Sequence, residues 1–181
     1  MNQRIQNYLA KRANLERHEI VCPDPPRNLE TVIVIPALAE EATLPVTLES
    51  LTHCNPERLE ETLIIVVINN GPRNDTNGQF IDENQRTLKL LQSDQHPGLH
   101  LAYIDASSPG FELSKKEGVG SARKIGMDHA ANLLLQANST YPLIVCLDAD
   151  TIVRQTYLDA LRAFARSENP WGSVINYAHS M

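Results

Sequence analysis

Aromatic residues are scarce, at 5% of the chain. That is thin for a protein that stacks sugars or bases along an extended groove. Cysteine is scarcer: only Cys22, Cys54 and Cys146, widely spaced and without a Cys-x-x-Cys pair. This argues against a disulfide framework and a cysteine zinc site, and fits a reducing cytosol. Cys146 lies in an apolar run and reads as a buried packing residue. Long apolar runs are missing too. The longest, Leu63 to Ile68, falls far short of the roughly 20 residues that span a membrane. The opening MNQRIQNYLAKRANLERHEI is polar and charged and does not read as a secretory signal. Positive charge is not in excess: 16 Lys and Arg face 22 Asp and Glu, for a net charge of −6. No nucleic-acid footprint is expected, although a local basic patch for a phosphorylated small molecule is compatible with that balance. These absences place the chain in the cytoplasm, free or at the cytoplasmic face of a membrane.

What is present is a foldable composition. With 42% hydrophobic and 21% charged residues over 181 positions, one soluble domain with a sizeable core is expected. Residues 1–30 read as an N-terminal helix, about 3–18, followed by the breaker-rich linker CPDPPRN. Residues 31–181 read as the main domain. Strands are expected at 31–36, 63–69, 99–105, 143–147 and 172–179. Helices are expected at 43–53, 80–92, 121–136 and 155–167, the last with Tyr157, Leu158, Leu161 and Phe164 inward.

Strand and helix thus alternate. The strands are continuous apolar runs, as expected when both faces are covered. Right-handed crossovers then give an α/β fold: an open, mostly parallel sheet with helices on both sides. Ligands of such sheets bind beyond the carboxyl ends of the strands. The residues to read for chemistry therefore follow each strand.

Asp148-Ala149-Asp150 is the sharpest signal. Two carboxylates so close at the end of a buried strand suit a cation, and Mg²⁺ or Mn²⁺ binds through one or two carboxylates plus substrate phosphates. The alternative is a solvated acidic turn opening a helix. The second signal is KKEGVGSARK, 115–124. Gly118 and Gly120 allow close backbone approach, Ser121 can cap the helix, and Lys115, Lys116, Arg123 and Lys124 together resemble a diphosphate cradle. Arg123 is the best of the four because its guanidinium can grip phosphate in two places. Solvated lysines are the simpler reading of Lys115 and Lys116. Glu40 and Glu41 could accept hydrogen bonds from a nucleoside or simply open a helix. Asn69 and Asn70 could read a base edge or form the turn before Gly71. Asp75 and Thr76 read as loop stabilisers, and His129 and His179 as structural.

These residues carry a resemblance. TVIVIPALAEEATLPVTLESL looks like the opening of the family 2 glycosyltransferases with the GT-A fold: a strand, Pro-Ala-x-Asn-Glu-Glu, then a helix. IIVVINNGPRNDT is similar to their second block, GVGSARKIGMDHA to their Gly-x-x-x-Ala-Arg-Asn-x-Gly helix, and VCLDADTIV to their DxD strand. The four blocks keep the family order over about residues 31–160. The resemblance implies a three-layer, Rossmann-like nucleotide-diphospho-sugar-binding fold and a metal-dependent transfer of sugar from a nucleoside diphosphate to an acceptor such as a glycan, lipid or small molecule. It implies that Asp148 and Asp150 form the metal pair, with Asp150 the main contact. Pro36, Glu40, Asn69, Asn70, Arg123 and Asp148 would line the donor nucleotide. This chain has Ala39 where the family has Asn, Asn69-Asn70 where it has Asp-Asp, and Lys124 where it has Asn. The acceptor region and its general base are expected beyond Met181, since neither Asp159, mid-helix, nor Glu168, in a loop, reads as a base.

Two other classes compete. LIVCLDADT also fits the Asp-x-Asp-x-Thr strand of haloacid-dehalogenase-like phosphatases, with Asp148 as nucleophile and Asp150 as general acid/base. A non-catalytic nucleotide-binding module is the other.

Overall fold

The computed structural model describes residues 3–13, 15–93, 97–167 and 172–175. Five strands form one sheet: β1 (Ile20–Val21), β2 (Thr31–Ala37), β3 (Thr62–Asn69), β4 (His100–Ala106) and β5 (Leu143–Cys146), in the order β1-β4-β3-β2-β5. Only β1, on β4, is antiparallel. The helices are α1 (Gln3–Arg12), α2 (Leu44–Thr52), α3 (Pro56–Leu59), α4 (Gly78–Gln92), α5 (Val119–Gln136) and α6 (Tyr157–Ser167). The expected α/β class is correct.

β2 and β3 are buried at every position because both faces are covered. A period of two is hidden in their apolar runs. Val32, Val34, Leu63, Ile65 and Val67 share a cluster with Ala122, Ala130 and Leu134 of α5. Ile33, Ile35, Ile64, Val66 and Ile68 share the other with Leu44, Leu48, Leu88, Leu91 and Leu158 of α2, α4 and α6. Three layers result. At Gly126, α5 lies so close to the sheet that a β-carbon would overlap Val34 and come within 3.0 Å of Val67 Cγ2.

The strand order positions the site. From β2 the chain steps to β3 and β4 on one side, then crosses by α5 to place β5 on the other. The order reverses between β2 and β5, and a crevice opens beyond the carboxyl ends of strands at such a switch point. Glu30 steadies the β5 side: its carboxylate accepts from the backbone N–H groups of Thr140 (3.0 Å) and Tyr141 (2.9 Å).

Several expectations need correction. α1 ends at Arg12 rather than near 18, and a short strand, β1, stands between it and the CPDPPRN linker, where none was expected. Ser121 does not cap α5, because the helix starts earlier, with Gly118 at the N-cap and Ser121 in the first turn. Phe164 is exposed, and so is Cys146, which lies on β5, the edge strand of the sheet among the described residues. Residues 172–175 form no strand and are exposed; the rest of the expected strand, with His179, lies outside the described residues.

Candidate functional site

The residues read from separate strand ends meet. Pro36, Glu40, Asn69, Asn70, Arg123, Asp148 and Asp150 all line one cleft of about 450 Å³ at the switch point. Leu38, Gly71, Leu113, Glu117, Gly118, Val119 and Ala149 complete its wall.

The Asp-x-Asp turn is held from below. Leu147 N–H donates to Val34 O (3.0 Å), ending the β5 pairing, and Thr151 N–H donates to Asp148 O (3.1 Å), closing the turn. Thr47 of α2 donates its hydroxyl to Ala149 O (2.7 Å), and Ser50 accepts from Val153 N–H (3.1 Å). Ala149 is buried while Asp148 and Asp150 are exposed, so both carboxylates face the solvent side. Arg123 donates to Asp148 across the cleft. Sequence reasoning missed Thr47 and Ser50; two buried hydroxyls on the inward face of an apolar helix were the available signal.

The floor is an amide network whose orientation is dictated by backbone. Asn84 of α4 is 1% exposed. Its Oδ1 accepts from Ala39 N–H (2.9 Å), and its Nδ2 donates to Asn69 O (3.1 Å). An N–H can only donate and a carbonyl can only accept, so the amide cannot be flipped. Nδ2 also donates to Asn70 Oδ1 (2.9 Å), which turns Asn70 Nδ2 toward Gly71 O (2.8 Å). Asn69 Oδ1 is buried with no hydrogen-bond partner among the described residues. Asn84 was not singled out, though it sits at helical spacing with Ile81, Leu88 and Leu91 on an otherwise apolar stripe.

The two glutamates part company. Glu40 stays at the cleft and accepts from the Thr43 hydroxyl. Glu41 turns outward, with both oxygens 2.8 Å from Arg86 Nε, whose hydrogen bond holds its carboxyl below the ordinary range. The four-cation cradle does not assemble. Lys115 pairs with Asp75 (2.9 Å), and Lys124 pairs with the buried Asp128 (2.5 Å) under α1. Lys116 does not line the cleft, which leaves Arg123 as the only member of the set that does. Glu117, unnoticed in the sequence, also faces the cleft; hydrogen bonds from Ser114 lower its pKa. Asp159 lies elsewhere, beside Asn55 and Arg58, and Glu168 is outside the described residues.

Among the described residues no three His, Cys, Asp or Glu side chains form a metal cage. No helix among them is long and apolar enough to cross a membrane.

No protein-family model matches the chain, and no curated protein matches it. Among solved structures it is similar to TarS of S. aureus. A crystal structure of TarS 1–349 aligns at 14% identity and a TM-score of 0.48, over 78% of this chain and 33% of that one. Another TarS crystal structure aligns at 16% identity and a TM-score of 0.47, over 75% of this chain and 19% of that one. The chain therefore spans a third or less of the length of these structures.

Proposed function

We propose that this chain supplies the donor site of a family 2-like glycosyltransferase of the GT-A type, binding a nucleoside-diphosphate sugar with Mn²⁺ or Mg²⁺. The observation that carries the reading is the convergence of Pro36, Glu40, Asn69, Asn70, Arg123, Asp148 and Asp150 on one cleft at the switch point. The cleft has the volume of a small-molecule site. Its base end would be the Asn69–Asn70 floor, with Glu40 beside the nucleoside, and its phosphate end would be Arg123 and the start of α5.

The donor set suits a hard divalent cation completed by phosphate. Asp150 and Asp148 provide oxygen ligands only, too few for an all-protein cage and enough for an ion that shares its shell with a diphosphate. When bound, the ion neutralises charge on the departing nucleoside diphosphate. The chain's own part is positioning. Thr47 and Ser50 fix the turn that presents both carboxylates, and Asn84 fixes the floor. Arg123, now on Asp148, lies within reach of an anion entering between them.

Calorimetric titration of UDP, GDP and ADP, and of their sugars, with and without Mn²⁺, tests the reading. Metal-dependent binding of one nucleotide, lost in Asp150→Ala, is expected. No nucleotide binding with metal present, or binding that Asp150→Ala leaves unchanged, overturns it. Phosphate release from a generic phosphate ester, abolished by Asp148→Asn, would mark the phosphatase chemistry instead.

A further inference from the structure

Residues 15–19 run as an irregular strap outside α5, and their side chains are mostly exposed. His18 is the exception, at 3% exposure. Its Nε2 lies 2.8 Å from Phe111 O. Its own carbonyl lies 2.8 Å from Nε2 of His129, itself buried on α5. Both partners are carbonyl oxygens, so each imidazole carries its proton on Nε2 and donates. The neighbouring Arg17 donates Nη2–H to Glu112 O (3.1 Å). Two consecutive strap residues thus hold two consecutive carbonyls of the loop between β4 and α5.

The next loop residue reaches the cleft. Leu113 N–H donates to Asn70 O (2.9 Å), and its side chain, 1% exposed, is part of the cleft wall. After a tight turn, in which Glu117 Oε2 accepts from Ser114 N–H (2.7 Å), come Glu117 and Gly118, also in that wall, and then α5 with Arg123. The loop is suspended between the strap on one side and Asn70 on the other. A long loop gains its shape from such ties, since it has no ladder of its own.

We propose that His18 is a positioning residue of the nucleotide cleft: by holding Phe111 it sets Leu113 against Asn70 and so places the loop that walls the site. This rests on the donor-site reading. The N-terminal segment is then part of the binding machinery, although it touches no ligand. A merely structural tie would lower the unfolding midpoint and leave affinity unchanged well below that midpoint.

The test compares the full-length wild type, His18→Ala and His18→Gln. Affinity for UDP, GDP and ADP with Mn²⁺ is read by calorimetry, and the loop over 107–118 by amide hydrogen exchange. His18→Ala is expected to weaken the nucleotide that the wild type binds by about ten-fold or more and to speed exchange in the loop. Gln places a side-chain N–H where Nε2 was and is expected to recover affinity to within about three-fold of wild type. Unchanged affinity in His18→Ala, or no recovery in His18→Gln, overturns the proposal. If His18→Ala does not fold, Arg17→Ala decides: about three-fold weaker binding supports the clamp, and wild-type affinity overturns it. A wild type that binds no nucleotide is a failure of the donor-site reading, separable from these outcomes by the first titration.

Discussion

Arg123 donates to Asp148, so the cation expected at the diphosphate is paired with the first carboxylate of the Asp-x-Asp turn. Both side chains are partly exposed, at 37% and 60%. An ion pair in that setting contributes at most about 1 kcal/mol. Exchanging it for a metal on Asp148 and a phosphate on Arg123 is therefore cheap. The pair keeps two opposite charges matched until ligand supplies better partners.

Arg123→Ala is accordingly expected to weaken a nucleoside diphosphate by roughly ten-fold or more while affecting the matching nucleoside little. Mn²⁺ alone is expected to bind this variant more tightly than wild type, because Asp148 loses its competitor. Calorimetry on both ligands and on the metal alone checks this. Equal losses for nucleoside and diphosphate would remove the phosphate role of Arg123.

Ala39 has φ of 57°, in the left-handed region that an alanine side chain disfavours. Its N–H is fixed on Asn84, so the strain is held by the amide network of the floor. Asparagine tolerates this conformation better, which is a physical reason for the Asn in the family motif that the segment resembles. Ala39→Asn is expected to raise unfolding free energy by about 0.5–1 kcal/mol, read from urea midpoints.

Gly126→Ala should do the opposite. The added methyl meets Val34 and Val67 on two central strands that have no room to yield. A loss of about 1–3 kcal/mol is expected despite the better helix propensity of alanine. Gly120→Ala is the control: it lies in the first turn of the same helix, with nothing within 4 Å of its added carbon. A neutral or slightly raised thermal midpoint there, beside a clear drop at 126, separates packing from propensity.

Burial lowers the pKa of His129 below its ordinary value, against the weaker opposing effects of its hydrogen bond to His18 and of Asp128. The unfolded chain therefore takes up a proton before the folded one does. Stability is complete above about pH 7, falls as pH drops through the unfolded value near 6.5, and levels off below the lower folded value. Urea midpoints at pH 7.5 and below 6 are expected to show this loss. In His129→Gln, which keeps a donor for His18 O, the loss over that window should shrink. An unchanged pH dependence in the variant would assign the effect to other groups.

Much of the layout was legible in the sequence. The β-branched runs at 31–36 and 63–69 read as buried strands, which they are, and the polar residues following them were expected at one rim. What was not legible was how neighbours divide. Glu40 and Glu41 are adjacent, yet one lines the cleft and the other pairs with Arg86 on α4. Arg123 and Lys124 are adjacent, yet one meets Asp148 and the other reaches down to Asp128 and the Tyr8 ring. Successive helical positions point about 100° apart, so the direction depends on where α5 sits on the sheet.

By itself the sequence determined the local choices in the four parallel strands and the helices between them: strand or helix, and which polar residues follow each strand. These follow from side-chain periodicity and turn chemistry, which act over a few residues. The tertiary structure alone decided the partners. It placed β5 at the edge of the described sheet, left Cys146 exposed, tied the strap at His18 to the loop at Phe111, and closed Asn84 over Asn69 and Asn70. Those contacts join residues from 14 to 93 positions apart. They depend on strand order and helix placement, and no local pattern encodes either.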